Sequence, residues 1–146
     1  MEAQRVWCYS VSTLESSLMK KKKIEISGSA GKPILIDATY KANAQPKQVV
    51  VFCHGFKGFK DWGPFNKIAT HFAKQDIVFI KFNFSYNGTT ADDPLNFGDL
   101  EAFGNNNFCK ELDDLALVLD WIEGANELKG EIDVSMISLF GHSRGG

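Results

Sequence analysis

The chain has 146 residues, 44% of them apolar and 23% charged, with a formal net charge of −2. Those values exclude a disordered tail, a collagen-like repeat and a disulfide-rich mini-protein. They also argue against the broad basic surface of a nucleic-acid binder, and no stretch approaches the roughly 20 apolar residues of a membrane helix.

Residues 1–18 are mixed, with Trp7, Tyr9 and Val11 alternating weakly, and are expected to form an extension of unassigned role ahead of a domain over 19–146. The basic run Lys20–Lys23 is expected to be a solvated segment leading into a strand rather than a membrane or nucleic-acid patch, and no apolar segment follows it to make a signal peptide. Lys23–Ser27 alternates as a short strand. Gly28–Pro33 is turn chemistry. Ile34–Tyr40 alternates again, with Ile34, Ile36 and Ala38 on one face and Leu35, Asp37 and Thr39 on the other. Two alternating strands around a Gly/Pro turn predict an antiparallel hairpin.

The pattern then changes. Gln48–Cys53, Ile77–Phe84 and Val134–Phe140 are nearly continuous apolar runs, as expected of parallel strands buried on both faces. A helix is predicted from Gly63 to Lys74 with a stripe of Phe65, Ile68, Ala69 and Phe72. A second is predicted from Phe108 to Glu123, where Phe108, Leu112, Leu115, Leu119 and Ile122 make one apolar face. Glu111, Asp113 and Asp114 fall in its first turns, where the helix dipole favours negative charge. The segment from Ser85 to Asn107 is a long loop, of the kind that forms a functional lip or a mobile segment. Its acids, Asp92, Asp93, Asp99 and Glu101, are expected to be solvated. Strands alternating with helices define an α/β fold: an antiparallel hairpin leading into a mostly parallel sheet with flanking helices.

The cysteines, Cys8, Cys53 and Cys109, are odd in number and lack any metal-ligand spacing. With no export signal, they point to a reducing, cytoplasmic setting. Cys53, at the end of an apolar run, reads as a small core residue, with a thiol nucleophile as the sharper alternative.

Two motifs carry chemistry. The last strand ends in Gly141-His142-Ser143-Arg144-Gly145-Gly146, a G-x-S-x-G pattern placed directly after Met136–Phe140. That is the context a strand-to-helix nucleophile turn requires, with Gly141 and Gly145 relieving the crowding around Ser143. The earlier strand ends in His54-Gly55-Phe56-Lys57-Gly58-Phe59-Lys60-Asp61-Trp62-Gly63. A hydrolytic serine needs two preorganised N–H donors for the developing oxyanion. The backbones of Arg144 and Phe56 are the candidates.

Together HGFKGFKDWG and GHSRGG resemble the α/β-hydrolase superfamily, nearest to dienelactone-hydrolase-like and cinnamoyl-esterase-like serine hydrolases. The resemblance covers roughly residues 20–146. It implies an incomplete, amino-terminal α/β-hydrolase domain and an esterase-like enzyme. Ser143 would be the nucleophile, Phe56 and Arg144 the oxyanion donors, and His54, Gly55, Gly141, His142 and Gly145 the motif's support. The substrate would be a small-molecule ester or related acyl compound, with no metal or organic cofactor and no nucleic-acid or membrane partner. In that superfamily the acid and then the histidine follow the serine, yet only three residues follow Ser143 here. His54 is expected to support the oxyanion loop, His71 to lie partly exposed on a helix and His142 to pack within the turn. No base therefore faces Ser143, and the chain alone is expected to be inactive. A serine peptidase of the same fold, a non-catalytic truncated product and chemistry at Cys53 or Cys109 are the alternatives. The enzyme reading predicts that DNA sequencing past codon 146 finds an Asp or Glu and then a His on later strand ends. A stop codon there, in a stably folded and inert protein, would contradict it.

Overall fold

The structure, a computed structural model, describes residues 18–146, so all of the expected extension except Leu18 lies outside the described residues. Five strands form one sheet: β1 (Met19–Ser27), β2 (Pro33–Lys41), β3 (Lys47–Cys53), β4 (Val78–Asn83) and β5 (Ile132–Gly141), in the order β1-β2-β4-β3-β5. The predicted hairpin is present, with Ile24 opposite Ile36 and Ile26 opposite Ile34. β2 pairs antiparallel with β4, and β3 pairs parallel with both β4 and β5. The sheet is thus mixed, its antiparallel part being the hairpin edge. The lysine run is not a leader into β1 but the strand itself, because Lys20–Lys23 pair in register with Tyr40–Asp37.

Two helices cover opposite faces. α1 (Phe65–Lys74) buries Phe65, Ala69 and Ala73 and packs with Val50, Phe52 and Phe79. His71 and Lys74 sit in its last turn, where positive charge suits the helix dipole. On the other face Ile34, Ile36, Val49, Val51, Ile80 and Phe82 pack with Val118 and Ile122 of α3 (Phe108–Gly124). The two-residue period of β3 and β4 divides their side chains between these cores. The expected loop over 85–107 contains a short helix, α2 (Leu100–Gly104), capped by the Asp99 carboxylate. Asp99 also meets Lys32 at 2.6 Å.

Three expectations about burial need correction. In α3 the buried line is Asp114, Val118 and Ile122, four residues apart. Phe108 and Leu112 of the predicted stripe are 62% and 65% exposed. Only the second half of the helix lies against the sheet, so its first two turns face outward. Asp114, expected in the first turns for its favourable charge near the helix N-terminus, is buried. Its Oδ1 accepts from the Ser29 amide and hydroxyl, both at 3.1 Å, and its Oδ2 from the Ser85 amide and hydroxyl, both at 2.7 Å. It ties the hairpin turn and the end of β4 to α3. Finally, β5 lies beside β3 as an edge strand among the described residues, not covered on both faces. Val134, Met136, Leu139 and Phe140 are substantially exposed among the described residues.

One face of the sheet carries ionised groups. Phe79, Lys81 and Asn83 alternate along β4, and Lys81 stands opposite Asp37 of β2. Lys81 Nζ meets Asp37 at 3.0 Å and Asp61 at 2.6 Å, while Lys60 and Lys21 also reach Asp37 at 3.0 and 2.9 Å. Burial opposes ionisation of Asp37, but the Lys21 hydrogen bond and the Lys81 and Lys60 charges hold its carboxyl below the usual range.

Removing the Asp114 carboxylate strands two backbone N–H groups and two hydroxyls. Asp114→Ala is expected to lower stability by about 3 kcal/mol, read as a shifted midpoint in urea unfolding. A change below about 0.5 kcal/mol would show the clamp to be incidental.

Candidate active site

The carboxyl ends of β3 and β5 meet at one point. β5 runs parallel to β3 with Phe140 opposite Phe52 and Gly141 opposite Cys53. The chain then turns abruptly: the His142 amide donates to the Cys53 carbonyl at 3.1 Å, and Ser143–Gly145 form a single 3-10 turn. Ser143 has φ of 57°, a left-handed conformation that costs a non-glycine residue of the order of 1–2 kcal/mol.

Glycine is required here by contact. A Cβ on Gly145 would stand 2.3 Å from the Cys53 carbonyl oxygen, and one on Gly141 would stand 2.3 Å from the Gly145 oxygen. The turn is folded so tightly against the end of β3 that neither position admits a side chain. The loop after β3 approaches as closely. A Cβ on Gly55 would lie 2.9 Å from the His142 carbonyl oxygen and 3.0 Å from the Ser143 Cβ. The two sequence motifs, about 90 residues apart in the chain, are therefore adjacent. Among the described residues, the backbone N–H groups of Phe56 and Arg144 donate to no acceptor.

Each histidine is accounted for by its surroundings. His54 is buried: its Nε2 accepts from the Phe84 amide at 3.3 Å and its Nδ1 lies 2.9 Å from the Gly55 carbonyl. The Nδ1–H tautomer satisfies both contacts. Burial lowers its pKa to about 4, with the neighbouring His142 adding to the effect. His54 thus braces the loop. His142 packs edge-on against Phe65 and tilted against Trp62, at centroid distances of 5.7 and 6.4 Å. His71 is exposed on α1 beside Phe72.

Arg144 has a second set of contacts that sequence reasoning missed. Its Nε donates to Glu111 Oε2 at 2.9 Å, and its guanidinium lies 4.1 Å from the Phe108 ring centroid. Glu111 Oε1 also accepts from the Asn106 side-chain Nδ2 at 2.7 Å. The exposed first turn of α3 is thereby linked to the Ser143 turn. Phe56 is 60% exposed and its ring packs on Phe103 of α2 at 5.5 Å, so an aromatic rim borders the site. No pattern of apolar spacing pointed to this rim, because its members come from three separate segments.

Cys53 is buried and its thiol is pushed up to about 11 by desolvation and by the Glu111 charge. Cys109 is exposed on the outer side of α3. Among the described residues, no three or more His, Cys, Asp and Glu side chains converge. No helix among them is long and apolar enough to cross a membrane.

No family model and no curated protein matches the sequence. Solved structures do match. The esterase Est22 superposes with a TM-score of 0.68 over 89% of this chain at 19% identity. Brefeldin A esterase, a bacterial homologue of human hormone-sensitive lipase, gives 0.63 over 88% at 18% identity. An esterase from Pyrobaculum calidifontis gives 0.61 over 86% at 18% identity. The fold is that of the α/β-hydrolases. The chain spans about a third of the length of these esterases, 36%, 32% and 36% of them in turn. The α/β-hydrolase likeness expected from HGFKGFKDWG and GHSRGG is thus found again in backbone geometry. The contacts of His54 with the Phe84 amide and the Gly55 carbonyl make its neutrality matter for stability. Its native pKa of about 4 lies below the 6.5 of an unfolded histidine. As pH falls from 6.5 towards 4 the unfolded state takes up the proton first, so stability present above 6.5 is lost, by about 3 kcal/mol at full effect. Urea unfolding of the parent between pH 7 and pH 4 is expected to show this loss, and His54→Gln to lack that component. Identical pH slopes in the two proteins would contradict it.

Proposed function

We propose that this chain carries the nucleophile of a serine hydrolase acting on carboxylic esters or related acyl compounds, with Ser143 as the attacking group. The observation that carries the reading is the Ser143 turn. A serine at positive φ lies between two glycines that admit no Cβ, with the backbone of the Gly55 loop alongside. Strain of that kind persists where the surrounding structure holds it, and active sites are where it collects.

In this reading Ser143 Oγ attacks the ester carbonyl, and its proton passes to a general base. The carbonyl oxygen takes up negative charge and is met by the N–H groups of Phe56 and Arg144, which form the oxyanion hole. Collapse expels the alcohol and leaves an acyl-enzyme. Water then attacks the acyl carbon and restores Ser143. Among the described residues neither N–H group has an acceptor, which suits donors held ready for charge that develops only in the transition state. The nucleophile is not Cys53, because burial keeps its thiol protonated at neutral pH.

The three histidines are engaged by Phe84 and Gly55, by Trp62 and Phe65, and on the outer face of α1. None of these contacts offers Ser143 a general base among the described residues. Without a base the oxyanion donors alone leave turnover thousands-fold below that of a complete site.

The test is hydrolysis of p-nitrophenyl acetate and butyrate by the protein expressed from its complete reading frame. Ser143→Ala is expected to lower kcat/KM by about 10⁴-fold or more with an unchanged circular dichroism spectrum. Undiminished turnover in Ser143→Ala, or loss only in Cys53→Ala or Cys109→Ala, would overturn the proposal.

A further inference from the structure

We propose that the ion cluster of buried Asp37, Lys60 and Lys81 with part-buried Asp61 positions the loop bearing the Phe56 N–H, which makes Lys60 and Asp61 positioning residues for the reaction at Ser143. The inference rests on the serine-hydrolase reading above and deepens it.

The loop after β3 has little holding it from within. Its own bonds are two turns, from the Gly58 amide to the Gly55 carbonyl at 2.9 Å and from the Trp62 amide to the Phe59 carbonyl at 3.1 Å, and Asn87 Nδ2 donates to the Gly58 carbonyl at 3.3 Å. Phe56 is mostly exposed and Lys57 adopts a φ of 53°. The two residues that follow Phe59 are anchored far more firmly. The Lys60 amide donates to Asn83 Oδ1 at 2.6 Å. Its ammonium reaches Asp37 Oδ2 at 3.0 Å and Asp61 Oδ2 at 2.5 Å. Asp61 Oδ1 accepts from Lys81 at 2.6 Å.

The far side of this anchor is the sheet itself. Asp37 and Lys81 are paired across β2 and β4 and are fully buried. Asn83 lies two residues beyond Lys81 on the same face of β4. One row of that face thus offers a cation and an acceptor to the loop, and β2 adds an anion. Lys21 of β1 completes the cluster from the edge at 2.9 Å from Asp37. The loop is held at His54, braced by Phe84, and again at Lys60–Asp61. The Phe56 N–H is suspended between these two fixed points.

Buried ions are a costly way to hold a loop, since apolar residues of similar volume commonly stabilise a fold as well or better. What bidentate and shared charge contacts supply in addition is direction. Direction is what an oxyanion donor needs. It must stand about 2.7–3.1 Å from an oxygen that carries charge only briefly, and a misplacement of about 1 Å can cost a factor of about 10². A donor that acts on the transition state shows its displacement in kcat rather than in KM.

The experiment uses the protein expressed from its complete reading frame, with p-nitrophenyl butyrate as the probe. Asp61→Asn keeps the side-chain shape and removes the charge that Lys60 and Lys81 share. It is expected to lower kcat about 10- to 100-fold with KM within about twofold and a native circular dichroism spectrum. Lys60→Arg, which restores a cation at the same place, is expected to stay within about threefold of the parent. If Asp61→Asn does not fold, Lys60→Met carries the same test with the same expected fall in kcat. An unchanged kcat in the folded charge-removing variant would overturn the inference, as would kcat and KM falling together in both Asp61→Asn and Lys60→Arg. Ser143→Ala separates the two levels. If it abolishes turnover while Asp61→Asn leaves kcat intact, only the positioning role fails. If Ser143→Ala retains full turnover, the reading and this inference fail together.

Discussion

The carbonyl oxygen at the end of β3 sets how closely the Ser143 turn can approach. It accepts from the His142 amide, and it would collide with any Cβ at position 145. One atom thus fixes both the start and the compactness of the turn. The pairing of β5 with β3 brings that oxygen into place, with Cys53 opposite Gly141. Close packing makes the arrangement all-or-none. A turn with a larger residue at either glycine must move away from β3, and Ser143 then leaves its left-handed conformation and its proximity to Gly55. The strained backbone of Ser143 is therefore a consequence of the pairing of β5 with β3.

The same sheet acts on the other half of the site by a different force. The loop from His54 to Gly63 is held by a buried imidazole at one end and by shared ions at the other. Alternation along β4 explains why one strand serves three purposes on one face: Phe79 packs under α1, Lys81 meets the two aspartates and Asn83 receives the loop amide. On the opposite face Val78, Ile80 and Phe82 join the core under α3. Apolar packing sets where β4 lies, and the polar members of the same strand then orient the loop.

Much of this was legible in the sequence where a local rule applied. Alternation and a Gly/Pro turn gave the hairpin, apolar runs gave the central strands, and G-x-S-x-G after a strand gave the Ser143 turn. The parts that were not legible depend on which face of an element meets another. Phe108 and Leu112 have the spacing of a core stripe, but the start of α3 projects beyond the sheet, so the helix buries Asp114 in the line of Val118 and Ile122 instead. Val134–Phe140 has the composition of a covered strand, and among the described residues it pairs with β3 alone. Lys81 sits inside an apolar run where nothing local marks it as buried, because its partners are 44 and 20 residues away. Four serine donors converge on Asp114 from two distant turns, a contact that helix periodicity does not encode.

The left-handed turn at Ser143 is what the proposed nucleophilic role rests on. The most direct measurement is reaction of the protein, expressed from its complete reading frame, with a fluorophosphonate, followed by peptide mass spectrometry to locate the adduct. One phosphonyl group per chain is expected, on Ser143. An adduct on another serine or on a cysteine, with Ser143 unmodified in a folded and active protein, would contradict it.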